Sequence, residues 1–304
     1  MSDSDAVTFL GLKESGGPWD LVILPIPFEM TVSWKEGTVN GPSSCIEVSS
    51  QVELYDPILS SDIPCGLSFH TANAWNSNAG TLRGQLDSIR DYVRPWLNGE
   101  QFPLILGGEH GILLPIIETL DKHPDIDNLS EVTLVQIDAH ADLRNQLNEE
   151  RFSHGTVIRR SLDAGIGKVI QIGIRAYSEE EAEIIEHDKR IETWFARDIL
   201  GVMESRIGWP KLIRRISEIE GPVWLTFDID GLDGGIVPST GTPVPGGLSY
   251  WAAVELIEAL FSTDKVNVIG ADVNEISPGR EDKLTEFNAA LIATKIIACH
   301  ISTF

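Results

Sequence analysis

Short, β-branched apolar runs alternate with amphipathic stretches along this chain, and that alternation limits its fold more than any other feature. The runs are "DLVIL", "PLIL", "VTLVQI", "KVIQIG", "PVWLTF" and "VNVIGA". Each reads as a parallel strand buried on both faces. Between them, segments around 80–96, 111–122, 154–164, 178–188, 210–220, 249–262 and 284–298 read as helices. Such an order predicts an α/β fold, one mostly parallel, doubly wound sheet with helices on both faces. The stretches 25–79 and 229–248 carry much of the proline and glycine and read as loops over the sheet. No repeat, low-complexity tract or Gly/Ser linker divides the sequence, so residues 1–304 are expected to form a single domain.

Composition excludes several function classes. A hydrophobic share of 42% over 304 residues can fill a sizeable core. The N-terminus "MSDSDAVTFL" has no basic region followed by an apolar stretch, and apolar segments such as "AALIATKII" are interrupted by charge or too short to span a bilayer. A soluble, cytoplasmic chain with no membrane partner is expected. Cys45, Cys65 and Cys299 are odd in number and lack metal-type spacing, so they read as buried thiols, not a disulfide or thiolate-zinc framework. A formal charge of −23 argues against nucleic acid, whose phosphates need basic patches, and is compatible with a cationic ligand.

In doubly wound sheets ligands collect beyond the carboxyl ends of the strands, and the polar clusters fall there. "PLIL" leads into Gly107-Gly108-Glu109-His110, and "VTLVQI" into Asp138-Ala139-His140-Ala141-Asp142. "PVWLTF" leads into Asp228-Ile229-Asp230, and "VNVIGA" into Asp272 and Glu275. If these segments stay near-extended, a period of two points Asp138, His140 and Asp142 to one side, and likewise Asp228 and Asp230.

Four converging Asp carboxylates would repel one another, and some would protonate unless cations neutralised them. Two divalent ions balance four such charges. Carboxylates mixed with His, without Cys, favour Mn²⁺ or a similar borderline metal and leave Zn²⁺, Co²⁺ and Ni²⁺ open. Two ions about 3.5–4 Å apart can share a water and lower its pKa toward neutrality. Taken singly, each piece has an ordinary explanation. "DAH" serves as a turn or helix cap, Gly-Gly as a tight turn, Glu109 as a carboxylate at a helix start, and Asp228/Asp230 as a loop opening. Their joint occurrence after successive strands is what is specific. His70, His123, His187 and His300 have no acidic or histidine neighbours in ligand register and read as surface or core residues.

The set "GGEH", "DAHADLR", "FSHGT", "TFDIDGLD", "TGTPVPGG" and "GADVNEISP", spanning 107–278 in this order, resembles the ureohydrolase family, which contains arginases and agmatinases. The flank "PIPFE…GTVNGP" and the C-terminal helix are similar to that family too. The resemblance implies a three-layer α/β/α, arginase-like fold and a cytoplasmic homo-oligomer, a trimer or hexamer. It also implies a dinuclear manganese site that hydrolyses a guanidino compound to urea and an amine. One ion would be held by His110, Asp138, Asp142 and Asp228, the other by Asp138, His140, Asp228 and Asp230, with Asp138 and Asp228 bridging. It makes His154 the proton-transfer residue and Glu275 the carboxylate that orients the guanidinium. Both roles make physical sense. A carboxylate accepts the donor fork of a guanidinium, and an imidazole that titrates near neutrality can protonate a leaving amine. Outside these motifs, His154 would read as a helix-start residue and Glu275 as a loop carboxylate before Pro278; Asp233 and Asp272 read as supporting residues.

Departures from the family pattern bear on substrate. Glu109 stands where many members have Asp, and "LDGG" replaces a frequent Asp-Pro pair. "DLRNQLNEERFSHGT" has no close match to the segment with which arginases recognise an α-amino acid head group, and it lacks the Tyr/Gly residues common before "SHGT" in agmatinases. Agmatine, giving putrescine, is the first expectation, with arginine, guanidino acids and free guanidine behind it. A calcineurin-type metallophosphoesterase is disfavoured because its later Asn-His and His-x-His motifs are absent. A catalytically silent binding subunit is disfavoured by the retained ligand set with His154 and Glu275.

Overall fold

A computed structural model of the protein describes residues 7–14, 16–279 and 282–304. The strands are β1 (Leu21–Ile26), β2 (Tyr55–Asp56), β3 (Ser61–Asp62), β4 (Phe69–Thr71) and β5 (Phe102–Gly107), followed by β6 (Thr133–Ile137), β7 (Lys168–Ile174), β8 (Ile191–Phe195), β9 (Gly221–Asp228) and β10 (Val266–Asn274). The short β2 and β3 pair antiparallel, while the other eight form one sheet in the order β4-β1-β5-β10-β9-β6-β7-β8. Every pairing in that sheet is parallel. All six apolar runs are strands, as their burial on both faces predicts.

Period-two alternation divides the strand side chains between two cores. Leu21 and Ile23 of β1 face one side with Val135 and Ile137 of β6. Val22 and Leu24 face the other with Leu134. The first side is covered by helices α1 (Gly41–Ser49), α7 (Ser205–Ser217), α8 (Tyr250–Phe261) and α9 (Leu284–Ile301), and the second by α2 (Leu82–Val93), α3 (Leu113–Leu120) and α4 (Val157–Ala164). The remaining helices are α5 (Glu179–His187) and α6 (Ala196–Leu200). Helix α9 is long and apolar enough to cross a membrane by length and composition, but 78% of it is buried in the fold. Here it is a core helix.

The structure departs from the sequence reading at the periphery. The 25–79 stretch contains α1, the β2–β3 pair and β4 as well as loops. Pro42 in the first turn of α1 fits a helix start, but the helix is only nine residues long and its apolar contribution is Cys45, Ile46 and Val48. Strands β4 and β8 close the two edges of the sheet. Their short or mixed sequences, "FHT" and "IETWF", lack the apolar run of a central strand. Cys65 is exposed, against the expectation of a buried thiol, whereas Cys45 and Cys299 are buried; all three are free.

The strand order decides where chemistry can occur. Strands β5, β10, β9 and β6 are contiguous, and these are the four that lead into the polar clusters. Chain-consecutive β5 and β6 are held apart by β10 and β9. This separation opens a crevice of the kind in which α/β sheets bind ligands.

Candidate metal centre and active site

Beyond the ends of those strands, a cavity of about 160 Å³ is lined by His110, His140, Asp142, His154, Asp228, Asp230 and Glu275, with residues 32–35 and 240–242 at its walls. Asp138 lies beneath it, fully buried. The structure therefore brings together all eight residues singled out from sequence.

The local route differs from the expected extended run. β6 ends at Ile137, and Asp142 adopts a left-handed backbone with φ of 52°. Asp138 and Asp142 both face His110, whereas His140 faces Asp230: His110 Nδ1 is 3.3 Å from Asp138 Oδ2 and 3.1 Å from Asp142 Oδ2, and His140 Nδ1 is 3.0 Å from Asp230 Oδ2. Asp138 Oδ1 lies 3.7 Å from the same His140 nitrogen. Among the described residues, two groups could each hold a metal ion: His110, Asp138 and Asp142, and Asp138, His140 and Asp230. Asp138 is common to both. Asp228 Oδ2 stands 3.6 Å from His110 Nδ1, beside the first group, and its Oδ1 accepts from the Asp230 amide at 2.9 Å.

Hydrogen-bond direction tests whether cations fit. Thr226 donates its only proton to Asp272 Oδ1 at 2.6 Å, so its oxygen accepts from His110 Nε2–H at 2.8 Å. In the neutral imidazole that leaves a lone pair on His110 Nδ1, although, against its burial, Asp138 and Asp142 raise the ring's affinity for a proton well above the usual value. The atom is buried without a hydrogen-bond partner and faces three carboxylates. A lone pair among carboxylate oxygens needs a proton or a cation between them. Two divalent ions fit this donor set of nitrogen and carboxylate oxygen without sulfur.

The ionisation of the side chains gives the same answer. Burial, reinforced by Asp142 and Asp230, pushes Asp138 up to about 7. Burial, with Glu109 next, pushes Glu275 up to about 8, and burial with Asp230 and Asp138 drives Asp228 well above the carboxylate range. Burial opposes charge on His140 too, yet Asp230, Asp138 and Asp142 together hold it up at about 10. Asp230, despite its burial, is drawn down to about 2 by His140. Without a cation, the crevice holds protons on Asp138, Asp228 and Glu275 that an ordinary carboxylate would have lost.

Several supporting residues were not foreseen. Gln136 donates to Asp138 Oδ2 at 2.8 Å and to the His140 carbonyl at 3.1 Å, and Gln171 holds Gln136 Oε1 at 2.7 Å. Two buried amides inside the apolar runs of β6 and β7 were the available signal. Asp272 also accepts from Trp224 Nε1 and Asn274 Nδ2, which agrees with its supporting role. Glu275 has φ of 64°, held by its amide to Gly108 O at 2.9 Å and by Thr240 Oγ1 on its carbonyl at 2.8 Å. Its Oε1 accepts the His110 amide at 2.7 Å. Asp233 instead binds the amides of Gly235, Gly246 and Gly247 and closes the loop of 233–247.

Comparison with known proteins identifies the family. The family model described as the arginase family matches residues 19–299. The N(1)-aminopropylagmatine ureohydrolase of Synechocystis sp. is 33% identical, covering 91% of this chain and 88% of that protein. The agmatinase of Bacillus cereus is 34% identical over 85% of this chain and 83% of its own length. The crystal structure of a hypothetical agmatinase from Burkholderia thailandensis superimposes with a TM-score of 0.84 at 25% identity, covering 99% of this chain and 92% of the other. Its sheet, its crevice and these relatives agree, and the chain belongs to the arginase family, hydrolases of the amidine C–N bond.

Proposed function

We propose that residues 1–304 form one ureohydrolase domain that uses two Mn²⁺ ions to hydrolyse a guanidino compound, agmatine first, to urea and an amine. The observation that carries this reading is the pair of ligand groups sharing Asp138, with Glu275 and His154 on the same cavity. His110, Asp138, Asp142 and Asp228 would hold one ion, and Asp138, His140, Asp228 and Asp230 the other. Bound there, the ions would neutralise these carboxylates and supply a water acidic enough to attack a guanidinium carbon near neutral pH.

The protein's own groups do the rest. Glu275 uses Oε1 for the His110 amide, so Oε2, which lies toward Gly241 in the cavity wall, is the acceptor left for a guanidinium N–H. A charge-assisted contact there fixes the plane of the substrate. His154 then hands a proton to the departing amine nitrogen as the C–N bond breaks. The two lysine and arginine side chains at the cavity are already engaged, Lys35 with Ser277 O at 3.2 Å and Arg144 with Glu181 at 3.7 Å. A cytoplasmic homo-oligomer, trimeric or hexameric, belongs to the same proposal.

The Synechocystis relative supports a second reading within the same chemistry, because the substrate in its name is agmatine extended by an aminopropyl group. Urea release from agmatine, N(1)-aminopropylagmatine, arginine, 4-guanidinobutyrate and guanidine under matched conditions separates these. A linear guanidinoalkylamine is expected to give the highest kcat/KM. Faster turnover of arginine would overturn that choice, and no urea from any of the five would overturn the function.

A further inference from the structure

Thr31 lies in the loop after β1, within the flank "PIPFE…GTVNGP" and 78 residues from Glu109, yet it touches two of the later motifs. Its amide donates to Glu109 Oε1 at 2.6 Å, alongside the amide of Met30, and its hydroxyl donates to Glu109 Oε2. Glu109 is almost fully buried, so these donors supply what water would otherwise provide. Thr31 Oγ1 also lies 3.3 Å from the His154 amide nitrogen and 3.2 Å from His154 Nδ1.

A hydroxyl has one proton. With Glu109 ionised and accepting from the Met30 and Thr31 amides, the hydroxyl proton lies on its carboxylate and Thr31 Oγ1 can only accept from His154. We propose that Glu109 and Thr31 act as a relay that fixes the His154 imidazole with its proton on Nδ1 and turns Nε2 to the cavity. Both are positioning residues that act through His154. The Glu109 carboxylate, 3.9 Å from His154 Nδ1, places negative charge behind that N–H. The nitrogen that exchanges protons with substrate is then always Nε2, in one ring orientation, which is the condition for efficient general acid catalysis. The part of this inference that concerns catalysis rests on the proposed function, whereas the hydrogen-bond direction does not.

The relay makes a directional prediction. In Glu109→Gln the amide oxygen can keep the two backbone N–H groups, which turns the amide NH₂ toward Thr31. The hydroxyl must then accept from the amide and donate to Nδ1, so the proton of neutral His154 moves to Nε2. Thr31→Val removes the hydroxyl at nearly constant shape, and Thr31→Ser restores it.

Two readouts test this on the full-length protein. The first is long-range ¹H–¹⁵N NMR of histidine-labelled, zinc-loaded protein, in which the tautomer of His154 is read directly and which needs no substrate. The wild type is expected to carry Nδ1–H, Glu109→Gln to carry Nε2–H, and Thr31→Val to show a mixture. The second is kinetics with manganese and the best substrate of the panel. Thr31→Val is expected to lower kcat by roughly 10–100-fold with little change in KM or metal content, and Thr31→Ser to recover most of it. Wild-type His154 found as Nε2–H, or an unchanged tautomer in both Glu109→Gln and Thr31→Val, overturns the relay. So does a Thr31→Ser enzyme no better than Thr31→Val, because that marks a packing role. If no guanidino compound is hydrolysed, the NMR result still decides the relay while the proposed function fails by itself.

Discussion

Replacing Glu275 by Gln separates guanidinium recognition from metal binding, and the structure fixes how the new side chain must sit. The His110 amide, 2.7 Å from Oε1, needs an acceptor, so the amide oxygen of Gln takes that place and its NH₂ turns toward Gly241 and the cavity. The backbone at φ 64° is held by its own two hydrogen bonds and is unaffected. A guanidinium would then meet a donor where the wild type offers a charged acceptor. Loss of one charge-assisted hydrogen bond costs about 1.5–3 kcal/mol. With the donor facing a donor, kcat/KM is expected to fall on the order of a hundredfold. Urea release measured beside elemental analysis is the assay: metal should stay near two ions per chain while turnover collapses. Wild-type kcat/KM would refute Glu275 as the anchor, and a loss of metal would move it into the ligand shell.

Further expectations follow from the same geometry. Asp138→Asn should lose more metal and activity than His110→Ala, because Asp138 belongs to both ligand groups; equal residual metal in the two variants would count against a bridging carboxylate. Asp272→Asn, buried among three donors, should cost about 1–3 kcal/mol of stability and weaken metal binding about 10–100-fold through Thr226 and His110, which denaturant titration and metal titration would read. In metal-free protein, Asp138 at about 7, Glu275 at about 8 and His140 at about 10 all hold protons more tightly than the unfolded chain does. Each contribution is complete below the group's unfolded value and is lost as pH rises from there through the folded value, so thermal stability should fall from about pH 4 to about pH 10. Asp230, at about 2, is silent in that window. A divalent cation replaces those protons, so the Tm gained on adding metal should grow across the same interval; a gain independent of pH would contradict the charge account.

The sheet and the residues of the candidate site were legible because both are written as contiguous runs. Strands buried on two faces need unbroken apolar residues, and the metal-facing groups follow those runs directly. The peripheral elements were not legible, since β4 and β8 bury little and α1 is short. Within the site, the sequence pointed to Asp138, His140 and Asp142 as one face, but the chain leaves the strand at Ile137 and turns at Asp142, so His110 and Asp230 collect different members of that trio. Thr31, Thr226 and the Gln136–Gln171 pair went unseen for another reason. Each acts by passing a hydrogen bond onward, and that function depends on a partner 35 or more residues away. For Thr31 and Thr226 residue type at one position carries no trace of it, and for the Gln136–Gln171 pair the one mark is an amide inside an apolar run.

The central claim, urea-forming hydrolysis at a two-ion site, is tested most directly by titrating metal-free protein with Mn²⁺ and measuring urea release from agmatine at each step. The account predicts negligible urea without metal and a rate that rises until about two ions are bound per chain, then stays flat. Urea released at full rate without metal, or a rate already saturated at one ion per chain, would contradict it.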